Sequence, residues 1–301
     1  MQFGEVAKNQ LNRIDFSLPS DPRGNAAVLA KGKKKAQVFH GCAKWGRPEW
    51  VGKIYPIGAS EKDFLHYYGQ HYGSIELNAT HYRIHPKYIL KEWKKKVDNP
   101  DFRFCPKAPR GMSFLKETKA RNASTEAFME NITTFGQNLG PVFITHDEQI
   151  KWDAQAETEF FFFLKTLPEG FTYFVEERWP GFFADKKLQE RYYAQLRELG
   201  IGAVITDTAG RRDVLHMQLT IPKTFIRFVG NSLHPTDFPR IDSWARRLRK
   251  WIEAGIEEIY FFMHMHDEAQ SPELTQYLVE SFNKKGKMNL PPVRFVNDHP
   301  L

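Results

Sequence analysis

The chain has 301 residues, 41% of them hydrophobic and 14% aromatic, with a formal net charge of +7. That much apolar material fills one large core. No apolar run approaches the roughly eighteen residues of a membrane-spanning helix, and two cysteines, Cys42 and Cys105, exclude a disulfide framework. The basic balance points toward anionic partners (phosphate esters, nucleic acid), although runs such as Lys94-Lys95-Lys96 and Arg246-Arg247-Leu248-Arg249-Lys250 read as solvated helix faces. Residues 1–30 lack the apolar stretch of a signal peptide, so the expected location is the reducing cytoplasm, with no membrane partner.

Residues 1–35 are polar, carry Pro19 and Pro22, and end in Lys31-Gly32-Lys33-Lys34-Lys35. They read as an N-terminal extension, lying on the folded unit or partly disordered. A single barrel is expected over residues 36–286, followed by a tail over 287–301. Short, nearly continuous apolar runs mark strands at 37–42, 74–78, 102–107, 142–145, 172–176, 203–206, 225–229 and 258–263. Continuity, rather than alternation, is what strands buried on both faces show.

Helical patterns lie between them. Ser60-Glu61-Lys62-Asp63 has the form of a capping box ahead of Phe64-Leu65 and Tyr67-Tyr68. Pro86 opens a helix ending near Val97. Ser124 or Thr125 is the expected cap of a helix to Leu139, stopped by Gly140. Others span 157–167, 185–199 before Gly200, 241–254 before Gly255, and 271–284 with Pro272 in the first turn. The connection 207–222 shows no normal helix, and long irregular connections are often functional. Strand–helix alternation and no G-x-G-x-x-G after the first strand favour a TIM-like (β/α)8 barrel of parallel strands over an open dinucleotide-binding sheet.

In such a barrel chemistry gathers at the C-terminal strand ends. Those ends carry Glu76 and Asn78, Lys107, Glu176 and Arg178, Asp207, Arg227, and His264 with His266. Period-two alternation puts Glu76 and Asn78 on one face, and Glu176 and Arg178 on another. Buried charges need partners, so an ion-paired barrel mouth without chemistry is the plain alternative. Lys107 suits an anion clamp, or a Schiff base if burial lowers its pKa.

These residues resemble the YecE-like family, also called domain of unknown function 72. The resemblance runs through Gly41-Cys42-Ala43-Lys44-Trp45, Trp50-Val51-Gly52, Glu76-Leu77-Asn78-Ala79-Thr80-His81-Tyr82, Lys107, Glu176, Arg178, Thr206-Asp207 and Ile226-Arg227-Phe228-Val229-Gly230. It spans roughly Val38 to Phe282 and implies a TIM-like barrel, with no established activity. Where the family carries Gln and prolines after strand four, this chain has Thr145-His146-Asp147. Trp179 replaces a histidine, and His264 stands for asparagine, as in a subgroup with its own pocket.

The leading expectation is an enzyme for a small anionic substrate, a phosphate ester or phosphodiester. Glu76, Glu176 and Asp207 would supply acid–base catalysis. Lys107, Arg178 and Arg227, with Asn78, Trp45 and His264, would bind the substrate. A nucleic-acid-binding barrel is the second reading, with Trp45, Trp50 and Trp179 as stacking residues. A metal-dependent isomerase or hydrolase using His264, Glu176 and Asp207 is a third, and a ligand-sensing barrel without chemistry a fourth. No cofactor is expected, a divalent metal belongs only to the third reading, and the oligomeric state is left open.

Overall fold

The structure, a computed structural model, describes residues 3–110, 112, 118–146 and 151–296. Eight strands form one parallel sheet in the order β3-β2-β1-β8-β7-β6-β5-β4. They are β1 (Gln37–Cys42), β2 (Ser74–Leu77), β3 (Arg103–Pro106), β4 (Val142–Thr145), β5 (Tyr173–Glu176), β6 (Gly202–Asp207), β7 (Lys223–Gly230) and β8 (Glu258–Met265). Parallel bridges Phe104–Leu139 and Lys107–Phe143 bring β3 against β4, so the sheet curls into a nearly closed barrel. The expected strands all appear, most of them longer or shorter by a residue or two.

The barrel interior holds its own apolar layer of Phe39, Cys105, Phe143, Phe174, Val204, Phe225, Tyr260 and Phe262. Residues in the opposite phase, such as Ile75, Phe104, Ile144, Ile226 and Phe261, join the larger core between sheet and helices. Cys42 belongs to that outer core and Cys105 to the inner one. They are buried free thiols on opposite sides of the sheet, used as small apolar side chains.

Local chemistry sets the helix ends. Asp153 accepts from the Ala156 amide before the helix Ala154–Lys165, and Asp185 accepts from the Leu188 amide before Lys186–Leu199. Gly200 (φ 66°) and Gly255 (φ 110°) take left-handed conformations at the C-terminal ends of Lys186–Leu199 and Asp237–Ala254. Two expected caps fail. Ser60 makes no side-chain cap. The helix expected to start at Ser124 or Thr125 spans Thr118–Ile132, so both lie in its interior, and Thr125 bonds back to the Arg121 carbonyl instead. The β6–β7 connection holds only a short 3-10 turn, Arg212–Val214.

Among the described residues no helix is long and apolar enough to cross a membrane. Residues 3–35 lie against the barrel. Asn25 is buried, donating to the Met217 carbonyl and accepting from the Leu219 amide. Arg247 bonds Asp21 and the Pro19 carbonyl. The extension is therefore tied to the β6–β7 connection and to the helix after β7.

Candidate functional site at the barrel mouth

Above the interior apolar layer the inward positions turn polar. Arg227, on β7, is the hub. Its Nε and Nη2 each donate at 2.9 Å to the two oxygens of Glu76. Its Nη1 donates at 2.7 and 2.9 Å to the two oxygens of Glu176. These three residues are no more than 3% exposed. Asn78 Nδ2 and His264 Nε2 complete Glu76 at 2.8 and 3.0 Å. Because a carboxylate only accepts, the His264 proton sits on Nε2. Arg178 (2.7 Å), Thr206 (2.7 Å) and Thr145 (3.2 Å) complete Glu176. Both carboxylates thus have their acceptor positions filled.

Burial opposes ionisation of Glu76, but the charge of Arg227, with His264 behind it, holds its carboxyl well below the usual range. Glu176 is likewise desolvated and yet held down by Arg178, Arg227 and Lys107. Neither can act as a proton donor near neutral pH. They form a rigid ionised floor.

The unsatisfied groups lie above that floor. Lys107 follows β3, and its Nζ has no hydrogen-bond partner among the described residues; it rests 5.8 Å from the Phe143 ring centroid. Burial and the neighbouring Arg227 lower its pKa to about 8, against the opposing pull of Glu176. Arg178 keeps a buried Nε without a partner among the described residues. Arg110 sits over the exposed Tyr82 ring, 5.3 Å from its centroid.

All three cations act on His81, a residue of the Glu76-to-Tyr82 motif whose role no pattern in the sequence signals. Its Nδ1 lies 2.7 Å from the Ala108 carbonyl, so that nitrogen carries the proton and Nε2 is left as an acceptor with no partner among the described residues. Burial, together with Lys107, Arg110 and Arg178, lowers its pKa to about 4, which keeps the ring neutral. The Glu76-to-Tyr82 motif now has a physical meaning. Asn78 orients Glu76, Thr80 Oγ1 lies 2.7 Å from the Lys107 carbonyl, and His81 bonds the next residue of the same strand end.

The chain's own N-terminal segment roofs the mouth. The Phe3 ring covers the Arg178 guanidinium at 4.6 Å and lies 5.4 Å from Arg211. The Gly4 carbonyl accepts from the Gly210 amide at 2.7 Å, and Thr208 Oγ1 lies 3.1 Å from the Phe3 carbonyl. Glu5 lies 3.8 Å from His266.

Two sequence-derived candidates are placed elsewhere. Thr206 points inward, so its neighbour Asp207 points out of the barrel. There Asp207 meets Arg212, Arg240 (2.9 Å) and Trp244 Nε1 (2.8 Å), a buried structural cluster behind the wall. Trp45 packs edge-on against Trp93 at 5.3 Å and takes no part in the polar network. Trp50 is fully buried and donates to the Glu268 carbonyl. His264 and Glu176 are separated by the Arg227–Glu76 pair, and Asp207 faces away, so the suggested metal trio does not assemble. Among the described residues no His, Cys, Asp or Glu cluster is arranged to hold a metal. Asp147 lies outside the described residues.

The chain matches the family described as "Protein of unknown function DUF72" over residues 39–295. It is 26% identical over 265 residues to the UPF0759 protein YecE of Escherichia coli strain K12, covering 82% of this chain and 93% of that protein. The same figures hold for YecE of Escherichia coli O157:H7. A crystal structure of a DUF72 family protein (EF0366) from Enterococcus faecalis V583 superposes with a TM-score of 0.65 at 13% identity, covering 86% of this chain and 98% of that one. A second crystal structure of EF0366 gives a TM-score of 0.63 at 14% identity, covering 83% and 99%. At such identities the structural likeness speaks to the fold alone.

Proposed function

The chain belongs to the DUF72 family, and on that premise we propose that its barrel mouth is the site of an enzyme acting on a small anionic substrate of the phosphate-ester class. The observation that carries the reading is the convergence of Lys107, Arg110 and Arg178 on His81. Glu176 pairs with Arg178 alone of these three, so Lys107 and Arg110 have no carboxylate partner among the described residues. Arg178 also keeps a buried donor without an acceptor among the described residues, a situation that costs about 1–3 kcal/mol until an acceptor arrives. An oxyanion would satisfy that donor and the Lys107 ammonium together.

The roles differ from the first expectation. Glu76 and Glu176 hold Arg227 and Arg178 in place, Asp207 braces the wall, and the proton-transfer groups are Lys107 and His81. The first has a pKa of about 8, near working pH; the second offers an open ring nitrogen.

Thermal unfolding with orthophosphate tests the site. A ligand at a hundred times its Kd stabilises by about 2.7 kcal/mol. The wild type should gain in this way, and Lys107→Met should lose most of the gain. An equal rise in both proteins refutes the assignment.

A further inference from the structure

We propose that Lys107 is a covalent attachment point: its Nζ condenses with the aldehyde or ketone carbon of a small anionic compound to form an imine, while Arg178 and Arg110 hold the anionic group. This deepens the anion-site reading and rests on it.

The placement of the amine carries the argument. Two half-buried lysines of this chain have carboxylate partners: Lys53 with Glu273 at 2.7 Å, and Lys223 with Glu258 at 2.8 Å. Lys107 has none among the described residues, although Glu76 and Glu176 lie close enough to act on its charge. Arg227 and Arg178 occupy those carboxylates. The backbone of Lys107 is held by the Thr80 hydroxyl and by its bridge to Phe143, so the amine is presented from a fixed base. The cysteine of the inner barrel is disqualified as the nucleophile. Cys105 lies deep among aromatic rings, where burial raises its thiol pKa well above the usual value.

Imine formation asks for an unprotonated amine, a proton acceptor and limited water. Burial beside Arg227 favours the free amine. The neutral His81 ring, its Nδ1 tied to the Ala108 carbonyl, is the nearby group that can relay a proton through Nε2. Phe3 and Gly4 roof the Arg178 side of the mouth. In the reaction the Nζ lone pair forms the C–N bond as the C=O π bond opens, and one N–H proton passes to the carbonyl oxygen. The resulting carbinolamine loses its hydroxyl together with the second N–H proton as water while the C=N bond forms. Amine plus carbonyl gives imine plus water, with no change of redox state.

The test is reductive trapping in the full-length protein. Glyoxylate, an aldehyde carrying a carboxylate, is added with cyanoborohydride, and the labelled lysines are mapped by mass spectrometry over pH 6–9. A lysine pKa lowered from 10.5 to about 8 leaves far more free amine near neutrality. Lys107 should therefore label at least about tenfold faster than the exposed lysines. Its rate should level off above pH 8, and orthophosphate should slow it. Propionaldehyde, which lacks the anion, should label Lys107 more slowly than glyoxylate does. Labelling of Lys107 at or below the rate of surface lysines overturns the inference. The phosphate-dependent unfolding shift, run in parallel, separates the two readings. If the shift persists without trapping, the imine falls and the anion site stands. Selective trapping with no phosphate shift leaves the reactive amine standing and removes the phosphate site.

Discussion

Replacing Arg227 by Leu is the perturbation most closely determined by the geometry. Arg227 satisfies both carboxylates through four hydrogen-bonded contacts, and the three side chains exclude solvent. Removing one partner of a buried pair leaves uncompensated charge, at about 3–5 kcal/mol. Two carboxylates lose their main partner here, so the upper end of that range is expected. The pH dependence supplies a sharper signature. In the wild type the folded-state pKa values of Glu76 and Glu176 are depressed. Their stabilising contribution is therefore present above the unfolded value of about 4.3 and is lost as pH falls below it. Without Arg227, desolvation dominates and raises the Glu76 pKa, and Glu176 keeps only Arg178 and Lys107. The variant should then lose less stability than the wild type as pH falls from 7 to 5, or gain some. Urea unfolding of both proteins at pH 7 and pH 5 measures this. A loss below about 1 kcal/mol at pH 7, or parallel pH profiles, would refute the reading of a buried, charge-saturated floor.

Other outcomes follow from the same geometry. Asp207→Asn should cost about 3 kcal/mol in urea unfolding, because Arg240 and Arg212 lose their shared carboxylate. It should leave the phosphate response intact, since Asp207 lies outside the barrel wall; loss of that response in a folded variant would put Asp207 back at the site. Phe3→Ala uncovers Arg178 and should change stability by less than about 1 kcal/mol, the scale of a cation–π contact near the surface. Trapping of Lys107 should become faster; an unchanged rate would show that Phe3 does not govern access. Thr80→Val removes the hydroxyl tie to the Lys107 carbonyl, at about 1 kcal/mol. It should slow Lys107 labelling relative to surface lysines, and equal slowing at every lysine would argue against a positioning role.

The barrel itself was readable from the chain. Eight doubly buried strands have to be near-continuous apolar runs, and a parallel connection needs a helix, so the alternation of patterns carries the topology. Period two also paired Glu76 with Asn78 and Glu176 with Arg178 before any coordinates, and the structure joins each pair by a hydrogen bond. What a linear pattern does not contain is phase and closure. Thr206 and Asp207 are adjacent, and only the packing of Val204 against the interior rings reveals that the threonine, not the aspartate, points inward. Whether a carboxylate is free or saturated depends on groups far apart in sequence. Glu76 meets Arg227 across 151 positions, and its acid–base role disappears once that contact is counted. His81 gains its environment from Lys107, Arg110 and Arg178, which two separate segments, after β3 and after β5, deliver to one place. The polar N-terminal stretch has no periodicity that would announce a roof over the mouth. Residue pattern thus determines which elements form and which side chains share a strand face, because those follow from local geometry. Long-range packing decides which charges meet and which remain open, and with them the site.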